Sequence, residues 1–233
     1  MLIAEELLLL SLNNESGKQM IGNDRLGPAL GGALVAELAL MERIGVTPHD
    51  AGWSKRGRIT ITNLTPTDDP ELDEALRKLA ENEGKKVKDV LSDYASKKVR
   101  LSYKLRERLL ERLAKAGMLK RQQGTMLGFI PRTTWPAGDR AAEDDVRQRL
   151  QSTLVVGLTP TERTVTLIAL LQVTGLLPKV VTTEDKRALK ARAKQLTEGD
   201  WAAKAVKDAI DEVAAAAGAA GAAGAGGGGN GGS

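Results

Sequence analysis

Two segments of this chain are apolar on nearly every side or close to it, and such helices can only sit inside a folded domain. One runs from Thr164 to Val173, behind Thr159-Pro160-Thr161-Glu162, a capping-box pattern with Pro at the first helical position. The other, Leu2 to Leu12, reads as a short buried helix, although Glu5 and Glu6 interrupt its apolar run. Helical signals dominate elsewhere too. Pro28 suits a first helical position, with Asn23-Asp24 before it as turn or cap chemistry, and Ala29 to Ile44 follows as an apolar helix ending at Gly45. Asp69-Pro70-Glu71 opens a helix in which Leu72, Ala75, Leu76, Leu79 and Ala80 recur at helical spacing until Gly84. Further helices are predicted over Val87 to Tyr94, Leu101 to Ala116, Glu184 to Leu196 and Trp201 to Val213. Arg58 to Thr62 alternates like a short strand, and Met118 to Arg132 holds β-prone pieces around Gly124 and Gly128. The expected fold is mainly α with one or two hairpins, spanning residues 1–213.

Composition excludes several function classes. The 233 residues contain no Cys and one His, His49, which removes disulfide scaffolds, zinc fingers and most nucleophile relays. The absence of Cys fits a reducing compartment. Aromatic residues are 3%, too few for base-stacking platforms. The N-terminal stretch lacks a basic region, and the apolar run Gly27 to Met41 is broken by Glu37 and too short to span a bilayer. The expectation is a soluble, cytoplasmic chain that meets a membrane only from outside. Ala214 to Ser233 holds nine Ala, nine Gly, one Asn and one Ser, and reads as a flexible tail.

The positive charge is focused. Ten basic residues lie between Lys97 and Arg121 against only Glu107 and Glu111, so this window carries +8 while the whole chain carries +4. That local field points to an anionic partner. On a helix, Lys104, Arg108, Arg112 and Lys115 form one stripe beside an apolar face of Leu101, Leu105, Leu109, Leu113 and Ala116. Arg106 stands on the other edge, where it must snorkel, find a carboxylate or receive an anion. The plainer alternative is a solvated face with one internal ion pair. The hairpin segment Met126 to Ile130 is apolar, carries the single Phe, Phe129, and is flanked by Lys120, Arg121 and Arg132. Such a tip meets anionic membranes, folds back on the core or joins two subunits.

Motifs for catalysis are missing. Gly27 to Gly32 lacks the Gly-Lys-Ser/Thr ending of a phosphate loop, Glu143-Asp144-Asp145 complements a helix start, and His49 reads as an inert loop residue. No cofactor or metal is implied.

An ordered set of short matches resembles the Golgi phosphoprotein 3 family and its bacterial relatives. It comprises Glu5 to Leu12, Gly22-Asn23-Asp24, Glu37 to Leu40, Leu72 to Leu76, Tyr103-Lys104-Leu105-Arg106, Arg112-Leu113 running to Gly117, Pro136, and Arg147 to Leu150. The resemblance implies a helical domain around a central bundle with a projecting hairpin. It also implies a non-enzymatic peripheral membrane adaptor that binds phosphatidylinositol 4-phosphate. The family pocket uses a Trp before Asn-Asp, an Arg in the next helix and two Arg three apart at the start of the basic helix. Here the Trp position is Gly22 and the first Arg position Gly31. Arg106 is the first of the Arg pair counted from Tyr103 and the second counted from Gly117, with Arg108 close by. The implied head-group site is Arg106, Arg108, Arg25, Asn23, Asp24, Gly22 and Gly31, with Leu127, Phe129 and Ile130 touching the membrane.

Two rival functions fit the same residues. A basic helix followed by a hairpin is also the order of a winged-helix nucleic-acid binder, although the helix lacks the Asn/Gln/Ser mixture that reads base edges. A scaffold without a lipid ligand would instead meet an acidic protein partner or a second copy of itself through the basic patch, with a homo-oligomer forming through the hairpin.

Overall fold

The computed structural model describes residues 1–47, 57–92, 104–126 and 129–198. In chain order the helices are α1 (Ile3–Leu10), α2 (Asn23–Leu40), α3 (Pro70–Ala80), α4 (Val87–Ser92), α5 (Leu105–Lys115), α6 (Ala141–Gln151), α7 (Glu162–Thr174), α8 (Leu177–Val180) and α9 (Lys186–Glu198). The strands are β1 (Ile44–Val46), β2 (Ile59–Ile61), β3 (Gln122–Met126) and β4 (Ile130–Thr134), and they form two antiparallel pairs, β1 with β2 and β3 with β4. The chain is therefore mainly helical with two small hairpins among the described residues. None of its described helices is long and apolar enough to cross a membrane. The expected helix from Trp201, the tail from Ala214, and His49 lie outside the described residues.

The described residues divide into two compact units. The first, residues 1–22 and 104–198, is built on α1, which contacts α5, α6 and α7. All eight residues of α1 are buried, including Glu5 and Glu6. Both acids lie in the first helical turn, where the helix dipole favours negative charge. Glu5 also folds back and accepts the Leu2 N–H at 2.7 Å. Helix α7 is buried along most of its length, as its all-round apolarity requires. Its cap is Thr161, whose hydroxyl accepts the Thr164 N–H, so the start lies beyond the expected Pro160. Gly175 ends it at φ 72, the left-handed conformation that glycine adopts without strain. Helix α6 runs directly into a π-helical turn, Ser152–Val156.

The second unit comprises the described residues of 23–92. Its helix α2 contacts α3, α4 and β1. Contrary to expectation, α2 does not begin at Pro28. It begins at Asn23, and Pro28 lies inside it, buried. Asn23, Asp24 and Arg25 are thus first-turn residues of α2, and all three are exposed. Pro28 is the sixth residue of the helix, past the four N–H groups that a helix start leaves unpaired, so α2 gives up one internal bond, to the Asp24 carbonyl. Helix α3 follows its sequence closely. Asp69 caps it by accepting the Glu71 and Leu72 N–H groups at 2.9 and 3.4 Å, with Pro70 at the first position.

Candidate anion site on the basic helix

The basic segment becomes α5, which turns Leu105, Leu109, Leu110 and Leu113 inward. Its start differs from the expected one. Lys104 has φ 52, outside helical geometry, so it flanks α5 and is not the first member of a helical stripe. Tyr103, Lys97, Lys98 and Arg100 lie outside the described residues.

Buried acids on α1 absorb part of the cationic surface. The Arg112 Nε lies 2.8 Å from Glu5 Oε1, which removes Arg112 from the solvated stripe. The reason is burial: a carboxylate inside a bundle demands a cation, and Arg112 is the one α5 offers. Glu6 is held likewise by Arg149 of α6 at 3.1 Å and Arg163 of α7 at 3.5 Å. One helix therefore binds an arginine from each of the three helices around it. Arg121 pairs with Glu111 at 3.3 Å and lies 6.0 Å over the Trp135 ring.

Arg106 is placed differently. Its side chain is 24% exposed, and its Nε–H donates to Gln19 Oε1 at 2.6 Å. Its carboxylate contact is Glu107, 3.7 Å away and itself 62% exposed. Burial pulls the Arg106 pKa down from the usual guanidinium range, and Glu107 pulls the other way. Arginine remains charged at any physiological pH. The outcome is a half-desolvated cation held by a neutral amide, a state that an incoming anion would improve. Arg108, Lys115 and Lys120 are exposed on the same unit.

Gln19 was not foreseen, and it is held by a well-defined loop. Met20 N–H donates to Ser11 O at 2.8 Å, Lys179 Nζ to Met20 O at 3.0 Å, and Trp135 N–H to Gly17 O at 3.2 Å. Gly17 has φ 61, and a Cβ there would stand within 2.4 Å of the Trp135 and Pro136 backbone. A loop glutamine carries no periodic or motif signal, so no sequence rule picks it out.

The other expected site residues are placed as follows. Gly22 is exposed and closes the first segment of the α1 unit. Asn23, Asp24 and Arg25 are exposed on α2, and Gly31 is buried within that helix, all in the second unit. In the hairpin, Leu127 lies outside the described residues, Ile130 contributes its backbone to β4, and Phe129 is 76% exposed. The acidic run at α6 is accounted for by pairing: Glu143 is buried against Arg147 at 2.7 Å, and Asp144 meets Arg140 at 3.1 Å. Among the described residues no cluster of His, Cys, Asp and Glu could hold a metal.

A family model described as Golgi phosphoprotein 3 (GPP34) matches residues 3–213. The chain is similar to the vacuolar protein sorting-associated protein 74 of Eremothecium gossypii, with 29% identity over 209 residues. That alignment covers 78% of this chain and 62% of the relative, so the chain spans less than two thirds of the relative's length.

Proposed function

The chain belongs to the Golgi phosphoprotein 3 (GPP34) family, and on that premise we propose that it is a non-enzymatic adaptor that docks on membranes by binding anionic lipid head groups. The head group it takes is phosphatidylinositol 4-phosphate or a close chemical relative, and Arg106 is the central cation. The observation that carries this reading is the environment of Arg106. Arg112, Arg149 and Arg163 of the same unit are committed to buried carboxylates, whereas Arg106 is held by the Gln19 amide and an exposed acid. A monoester phosphate would supply the two charge-assisted bonds that this guanidinium makes best. Arg108, exposed on the same helix, adds to the field.

The proposed localisation is the membrane surface on the cytoplasmic side. The adaptor reading extends from the family and from the sorting function named for the relative. Nucleic-acid binding is disfavoured because Arg112, central on α5, faces inward to Glu5.

Vesicle flotation tests this function. The full chain should float with phosphatidylcholine vesicles carrying phosphatidylinositol 4-phosphate and not with phosphatidylcholine alone. Arg106→Ala with Arg108→Ala should remove most of the difference. Equal recovery with both vesicles, or an unchanged double variant, refutes the reading.

A further inference from the structure

The β3–β4 hairpin contains a glycine that the fold does not require. Gly124 lies mid-strand and pairs with Arg132 across the ladder. It is absent from the positive-φ glycines, and a Cβ built on it would meet nothing within 4 Å. A glycine inside a strand gives up packing and loses more chain entropy than any other residue. What it leaves here is open space opposite an arginine. A concavity of about 390 Å³ occupies that space, lined by Lys18, Gln122, Gln123, Gly124, Arg132 and Thr134. No acidic residue is among those lining it. Lys18 and Arg132 are both exposed. The bond from Trp135 N–H to Gly17 O carries Lys18 to this edge of the hairpin. Arg106 does not line the hollow. Phe129, 76% exposed, stands in the turn of the same hairpin.

We infer that this hollow is a second anionic-lipid site, which seats the phosphate of a bilayer phospholipid between Lys18 and Arg132 above Gly124. The side chains match that ligand. Two cations flank the space, amide and hydroxyl donors of Gln122, Gln123 and Thr134 line it, and the missing Cβ lets a phosphate approach the strand. Phe129 supplies the apolar residue that enters the acyl boundary while the cations stay at head-group level. The inference rests on the proposal that the chain works at a membrane surface, but it needs neither Arg106 nor a phosphoinositide.

The experiment uses the full chain and flotation on three vesicles: phosphatidylcholine alone, with phosphatidylglycerol, and with phosphatidylinositol 4-phosphate. Lys18→Gln with Arg132→Gln should weaken binding to phosphatidylglycerol vesicles by about 25-fold, roughly fivefold per cation. Gly124→Val should fill the hollow, keep or raise the melting temperature because valine favours a strand, and weaken the same binding several-fold. Arg106→Ala should spare phosphatidylglycerol binding and lose the phosphatidylinositol 4-phosphate increment. If the Lys18/Arg132 or the Gly124 variant floats like wild type on phosphatidylglycerol, the hairpin site is overturned, whatever Arg106→Ala does. If Arg106→Ala alone behaves like wild type, the head-group proposal falls and the hairpin site stands. A hairpin variant that changes only the mass seen by light scattering assigns this face to a second copy of the chain and also overturns the lipid site.

Discussion

Arg106 and Gln19 form a 2.6 Å hydrogen bond between a loop amide and a half-buried guanidinium. The bond uses Nε, so it fixes the plane of the guanidinium. Removing the acceptor leaves that N–H without its partner. Gln19→Leu should therefore cost about 1 kcal/mol of stability and weaken binding to phosphatidylinositol 4-phosphate vesicles several-fold. Urea unfolding and flotation read the two effects. A variant with full binding would mean that Gln19 does not position Arg106.

Glu5 and Arg112 give the opposite case, a buried acid that depends on its cation. Arg112→Met leaves Glu5 with only the Leu2 N–H. Arg112 is partly exposed, so the cost should fall at or below the low end for a broken buried pair, about 2–3 kcal/mol. Glu5→Gln with Arg112→Met should recover much of it. A double-mutant cycle in urea measures the coupling, and additive losses would contradict the pairing.

Glu74 supplies a pH-dependent contact. Burial acts to raise its pKa, but hydrogen bonds and charge from Arg77, with Lys78 adding, hold it below the usual 4.5. A carboxyl depressed in the folded state adds stability above its unfolded pKa and loses it as pH falls through the folded value. The group is well exposed, so the contribution should stay below about 1 kcal/mol. Glu74→Gln should melt slightly lower than wild type at neutral pH, and the gap should close as pH falls through the lowered folded pKa. A gap that persists in acid would assign it to something other than charge.

Gly17 has no room for a side chain. An alanine there meets both a left-handed backbone and the Trp135–Pro136 backbone. Gly17→Ala should cost at least about 3 kcal/mol in thermal or urea unfolding. In the same protein Gly124→Val should cost nothing, and that contrast separates a glycine the fold demands from one it does not.

Much of this was legible in the sequence where the determinants are local. Asp69-Pro70 fixed the start of α3, and all-round apolarity placed α7 in the core. The leucine spacing of α5 gave its buried face, and Arg106 was correctly set at its edge. The start of α2 was misjudged because Pro28 resembles a first helical residue, while the helix actually opens at Asn23. Spacing puts Arg112 in the basic stripe with Arg108 and Lys115 and cannot show Glu5, which is remote in sequence, because periodicity identifies a face without saying what lies against it. Gln19 and Lys18 were missed for the same reason. Their roles come from a loop fastened to α8 and to the end of β4, through contacts that leave no pattern along the chain.

The entombed α1 has a consequence for biosynthesis. The helices that shelter it begin only at Leu105 and end at Thr174. At roughly 5–20 residues per second, a ribosome needs on the order of 10 s to deliver them after Leu10 has been made. Throughout that interval a greasy leucine tract bearing two unneutralised glutamates waits without its cover. Those acids, which look like a flaw in the finished interior, give the uncovered leucine tract its charge until their arginines arrive.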